Sequence, residues 1–95
     1  MTKMLVMIDD VQFESTERFF GYISKALGCD EDEIKTVSKL FDVLCDFEDE
    51  IEVTFYDTDE IKDEMKPFAE EVLAAFMNAQ NTNEKLSVKF EKTTL

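Results

Sequence analysis

Short apolar runs, two clean alternations and three helical periodicities organise the chain. Met4-Leu5-Val6-Met7-Ile8 is an apolar run closed by Asp9-Asp10, a length that predicts a strand rather than a helix. Ser15 and Thr16 offer N-cap hydroxyls. Phe19, Phe20, Ile23, Ala26 and Leu27 then recur at helical spacing, so a first helix is expected over about 16–27. Gly28 stands where a helix commonly ends in a left-handed residue. Asp30-Glu31-Asp32-Glu33 follows, four acids suited to the positive end of a second helix. Its apolar positions Ile34, Val37, Leu40, Phe41, Leu44 and Phe47 carry the period to about Asp46, and residues 47–50 break it. Ile51-Glu52-Val53-Thr54-Phe55-Tyr56 alternates with β-branched and aromatic enrichment, a second strand with one buried face. Asp57-Thr58-Asp59 reads as a turn, and residues 60–66 as an acidic loop or short helix. Pro67 suits the first turn of a third helix that buries Phe68, Val72, Leu73, Ala75, Phe76 and Ala79 and stops at Asn81-Thr82-Asn83. Leu86-Ser87-Val88-Lys89-Phe90 is a third, alternating strand.

Helices placed between strands imply parallel pairing through right-handed crossovers. The expectation is a two-layer α/β domain, a three-stranded parallel sheet in order 1-2-3 with helices on one face. Strand one does not alternate, so its second apolar set calls for cover by the N-terminus or a partner. With 95 residues, 44% of them hydrophobic and nine of them Phe, the chain is expected to form one domain over 1–95 with a real core. No apolar run approaches the length of a membrane span. The opening residues lack the anatomy of a signal peptide, which makes a cytoplasmic location the expectation.

Charge changes the picture. There are 23 acids, 10 bases and no His, a net charge of −13. Residues 28–52 hold ten acids and two lysines, residues 57–71 seven acids and two lysines, and the remainder is balanced. The excess is therefore a central patch rather than a uniform coat. Direct nucleic-acid binding and an anionic membrane are disfavoured, because phosphate contacts need Lys and Arg. A basic protein partner is favoured, since a concentrated negative field speeds its encounter. The acids of 57–71 read as a solvated face.

Catalytic and metal chemistry find little support. Cys29 and Cys45, without a His or a CxxC pair, make neither a zinc site nor an activated nucleophile. No Gly-rich phosphate loop exists, the two glycines being Gly21 and Gly28. Asp30-x-Asp32 and Asp57-x-Asp59 begin like calcium loops but lack the turn glycine and the closing Glu. The expectation is a non-enzyme without metal or cofactor.

The string Leu40-Phe41-Asp42-Val43-Leu44, on a helix between an N-terminal strand and an Ile/Val-rich second strand, resembles the barstar family of intracellular ribonuclease inhibitors. The resemblance covers nearly the whole chain. Residues 4–13 resemble the family's first strand and its exit, 19–27 its first helix, 51–55 and 86–90 its later strands, and Val72-Leu73-x-x-Phe76 its last helix. It implies a barstar-like fold and inhibition by occlusion, in which the second helix and its approach plug a cationic nuclease site. Carried over, Asp42 takes the place of the central carboxylate, Phe41 that of a neighbouring aromatic, and Phe47 that of a second aromatic beyond the helix. Ser38 and Asn78 stand where the family has further acids. Asp32 and Glu33 on the approach and Asp46 at the helix end complete the partner-binding set. The family's Tyr-Tyr-Gly-x-Asn loop is replaced by Asp32-Glu33-Ile34-Lys35-Thr36. That change points to a basic ribonuclease or nuclease toxin other than the family's familiar one, bound as a heterodimer. The alternative is an acidic interaction or nucleic-acid-mimic regulatory domain with no nuclease partner.

Overall fold

The structure, a computed structural model, describes residues 3–30 and 33–92. Its elements run β1 (Lys3–Ile8), α1 (Thr16–Ala26), α2 (Val37–Asp46), β2 (Glu50–Tyr56), α3 (Lys66–Thr82) and β3 (Leu86–Glu91). Short 3₁₀ turns occupy Asp10–Phe13, Thr58–Glu60 and Asp63–Met65. β1 and β3 both pair in parallel with β2, giving the order 1-2-3.

Register decides which side chains share a face. Met4, Ile51 and Leu86 lie in one row, Val6, Val53 and Val88 in the next, and Ile8, Phe55 and Phe90 in the third. Because successive side chains alternate faces, these rows form a single surface. It is the buried one except at its Phe90 corner, which is half exposed: Val6, Ile8, Ile51, Val53, Phe55 and Leu86 are all inaccessible to solvent or nearly so. The facing layer comes from Phe19 and Ile23 of α1, Leu40 and Leu44 of α2, and Val72 and Phe76 of α3. Phe55 meets Phe76 edge-on with centroids 5.2 Å apart. Phe19, Phe20 and Phe68 pack edge to face, and Phe13 stacks on Phe19, which joins α1 to the start of α3.

Among the described residues the opposite face carries Leu5, Met7, Glu52, Lys89 and a buried Thr54, and its apolar members are open to solvent. Leu5 is 62% and Met7 58% exposed. The apolar set that broke the alternation of strand one therefore lies on the uncovered side of the sheet. On the same side Lys3 and Lys89 both reach the Glu52 carboxylate, at 3.1 and 3.2 Å, and tie all three strands together. The two ammonium groups hold the Glu52 carboxyl below its usual range. At the edge of β1, the Tyr22 hydroxyl donates to the Met7 carbonyl oxygen.

Helix ends follow local chemistry at α1. The Ser15 hydroxyl accepts from the Arg18 N–H at 3.1 Å. Gly28, at φ +77°, turns the chain away while its N–H donates to Lys25 and the Cys29 N–H to Ser24. These paired bonds form a Schellman motif. The start of α2 departs from expectation. The helix begins at Val37, capped by the Thr36 hydroxyl, which accepts from the Lys39 N–H at 3.0 Å, and the described acids Asp30 and Glu33 lie ahead of it; Glu31 and Asp32 lie outside the described residues. Ile34 is fully buried ahead of the helix, with its backbone N–H and C=O both held by the Ser24 hydroxyl. A non-helical approach brings Ile34 into the core, and the Thr36 cap then sets the first turn.

Phe76→Ala is expected to lower unfolding free energy by about 3–5 kcal/mol, as for other buried Phe truncations. Leu5→Ser on the uncovered face is expected to stay within about 0.5 kcal/mol of wild type. Urea unfolding of both variants checks this contrast. The lowered carboxyl of Glu52 adds a pH signature. Its contribution is present above the ordinary Glu value of about 4.3 and is lost as pH falls through the lowered folded value. The stability gap between wild type and Glu52→Gln, read from urea midpoints, should be open at pH 7 and close on strong acidification.

Candidate functional site

Helix α2 divides its residues by direction. Leu40 and Leu44, four apart, point into the core and are fully buried. Val37, Phe41, Val43 and Cys45 are partly buried along the flanks, while Ser38, Lys39, Asp42 and Asp46 are exposed. Ser38, Asp42 and Asp46 repeat every four residues and so form one outward stripe. At the helix end Phe47 turns extended, with φ −65° and ψ 129°, and the chain passes through Glu48 and Asp49 into β2. The result is an open concavity of about 430 Å³ lined by Lys39, Asp42, Val43, Asp46, Phe47, Glu48 and Asp49. Four carboxylates face one ammonium group over an apolar floor of Val43 and Phe47.

Ion pairing separates these carboxylates from three in the 57–71 region, although Glu60, Glu70 and Glu71 there are likewise in no ion pair among the described residues. In the 57–71 region Asp59 pairs with Lys92 at 2.9 Å, Asp63 with Lys66 at 3.2 Å and Glu64 with Lys62 at 3.6 Å. The Lys92 hydrogen bond holds the Asp59 carboxyl below its usual range. Among the described residues, Asp42, Asp46, Glu48 and Asp49 take part in no ion pair. Asp46 also occupies the last position of α2, a helix with no basic residue in its final turn. A negative charge there opposes the helix dipole.

Of the residues expected from the sequence, Asp42, Asp46 and Phe47 come together in this concavity. Phe41 is partly buried and packs against the core instead. Ser38 is exposed one turn before Asp42, outside the lining. Glu33 is exposed beside Cys29, and Asn78 is exposed on α3; neither lines the concavity. Asp32 lies outside the described residues. Glu48, Asp49, Val43 and Lys39 are added by the geometry. Lys39 and Val43 follow from helical spacing around Asp42, whereas Glu48 and Asp49 enter only because Phe47 turns the chain back beside the helix.

Burial and the neighbouring Glu33 carboxylate push the Cys29 thiol up, which keeps it protonated at neutral pH. A reactive thiolate requires the opposite shift. Cys29 and Cys45 are both free and partly buried. Among the described residues no group of three or more His, Cys, Asp or Glu is arranged to hold a metal ion, and no helix is long and apolar enough to cross a membrane. What the arrangement offers chemically is a negative, partly apolar recess for a cationic group. No known family model matches the chain, and no curated protein matches it.

Asp46→Asn is expected to raise stability by about 0.3–1 kcal/mol at low ionic strength, because it removes an anion from the negative helix pole. The gain should shrink with added salt. Thermal unfolding in two salt concentrations measures both effects.

Proposed function

We propose that this protein is an inhibitor of the immunity type, which binds one-to-one to a basic ribonuclease or nuclease toxin and occludes its active site. The observation that carries this reading is the uncompensated acidic concavity at the end of α2. A nuclease must hold phosphates, so its cleft is cationic, and an inhibitor's carboxylates can take the phosphate positions and pair with its arginines and lysines. Asp42, exposed in mid-helix, is the central contact. Asp46, Glu48 and Asp49 surround the incoming cation, and Val43 and Phe47 supply apolar contact to an arginine stem.

The resemblance of the chain to the barstar family supports the same reading, as do the strand–helix–helix–strand–helix–strand order and the parallel sheet. The acids on the approach to α2, where the family has an aromatic loop, favour a partner other than the family's familiar ribonuclease. A cytoplasmic location fits an inhibitor that protects its own cell.

A second reading, an acidic interaction domain without a nuclease partner, draws on the uncovered Leu5 and Met7. Occlusion through α2 leaves those two side chains without a role.

The test begins with a pull-down from the source organism, using the wild-type protein as bait, followed by calorimetric titration. With a captured basic nuclease, Asp42→Ala should weaken binding by about 2–5 kcal/mol, the range for one partner of a desolvated charge pair. Association should slow steeply as salt is added. A partner that tolerates Asp42→Ala but is lost with Leu5→Ser would favour the second reading and defeat the first.

A further inference from the structure

We infer that Asn83 is a positioning residue for the acidic concavity, acting from the α3–β3 turn through the carbonyl groups at the end of α2. The inference rests on the inhibitor reading above. A helix leaves its last four carbonyls without intrahelical partners. In α1 the Gly28 turn solves this locally. In α2 no glycine follows the helix, no basic side chain stands in its last turn, and the Phe47 N–H reaches Leu44 O at only 3.4 Å.

The missing donors come from far along the chain. Asn83 Nδ2 donates to the carbonyl oxygens of Leu44 at 2.9 Å and Phe47 at 3.0 Å. A side-chain amide carries two N–H bonds, and both are engaged here. Asn83 Oδ1 accepts from the Lys85 N–H at 3.1 Å. Its backbone N–H donates to Ala79 O at 2.7 Å, and its carbonyl accepts from the Leu86 N–H at 3.1 Å. One residue thus joins the end of α3, the start of β3 and the end of α2. Lys85 adds a second clasp, its Nζ donating to Glu48 O at 2.6 Å. That ammonium holds a backbone carbonyl beyond the helix and pairs with none of the four carboxylates of the recess.

Phe47 and Glu48 separate the acidic concavity from a polar one of about 500 Å³ on the Asn83 side. Asn83 and Lys85 therefore grip the 47–48 turn from behind, without lining the acidic recess themselves. Preforming the recess spares the partner the cost of ordering it. Loss of the clamp should speed dissociation and leave the electrostatic approach intact, because Asn83 carries no charge.

The test uses Asn83→Ala and, should that variant fail to fold, Lys85→Met. Backbone ¹⁵N relaxation should give order parameters at 47–49 that fall from about 0.85 to below about 0.6, while Val53 and Phe55 stay rigid. A hexa-arginine peptide should bind Asn83→Ala about three- to ten-fold more weakly than wild type, with an unchanged salt slope. Rigid 47–49 backbones in the variants, or equal loosening of β2, would overturn the positioning role. A wild-type protein whose Asp42 and Asp46 amides ignore hexa-arginine would instead overturn the inhibitor reading, since the relaxation experiment needs no ligand.

Discussion

Burial of the inner face of β2 is the constraint from which the rest follows. Ile51, Val53 and Phe55 are the middle members of every row on the covered side, and all three are removed from water. A parallel sheet cannot close that face with hairpins, so the crossover helices must do it. Leu40 and Leu44 then fix the rotation of α2, and Phe76 that of α3. Once the leucines are turned inward, the opposite side of α2 can only present Ser38, Asp42 and Asp46 to solvent. The acidic stripe is thus a consequence of core packing as much as of charge.

One-sided cover has its own cost. Parallel sheets are usually buried on both faces, yet this one leaves Leu5 and Met7 in water. The Lys3–Glu52–Lys89 bridge knits the exposed side across three strands and keeps its charges nearly balanced. The end of α2 is the reverse case, with carboxylates crowded near a negative helix pole and no lysine within ion-pairing distance among the described residues. Local rules broken without local compensation are characteristic of functional sites. A cationic partner of the kind proposed would relieve the repulsion among these carboxylates on binding.

The two helix ends that flank the approach illustrate how differently one problem can be solved. α1 closes with Gly28 in a left-handed conformation and two local hydrogen bonds. α2 closes with a side chain from the far end of α3. The first solution depends only on neighbours in sequence and tolerates change elsewhere. The second makes the shape of the acidic recess depend on the α3–β3 turn and couples the site to the assembly of the whole domain.

Much of the fold was legible before any coordinates. The three strands, the order 1-2-3, the first and third helices and the Gly28 stop all follow from periodicity and turn chemistry, which act over a few residues. Asp42 and Phe47 were singled out through the family resemblance; the structure places them with Asp46 in one recess, and the shared stripe of Asp42 and Asp46 follows from helical spacing. The start of α2 was not legible, since acids at 30–33 satisfy the helix-opening pattern while the decisive contact is that of Ile34 with Ser24, ten residues upstream. Nor was the uncovered position of Leu5 and Met7, because an apolar run does not say which face the helices will take. Glu48 and Asp49 joined the site by the path of the chain after Phe47, whereas Phe41 packs against the core and Asn78 lies exposed on α3, away from the lining. Sequence alone determined the elements, their parallel order and the seat of the charge. Which carboxylates meet in one recess was decided by the turn of the chain at Phe47, and what holds its rim by contacts from Asn83 and Lys85, more than thirty residues away, which no local pattern records.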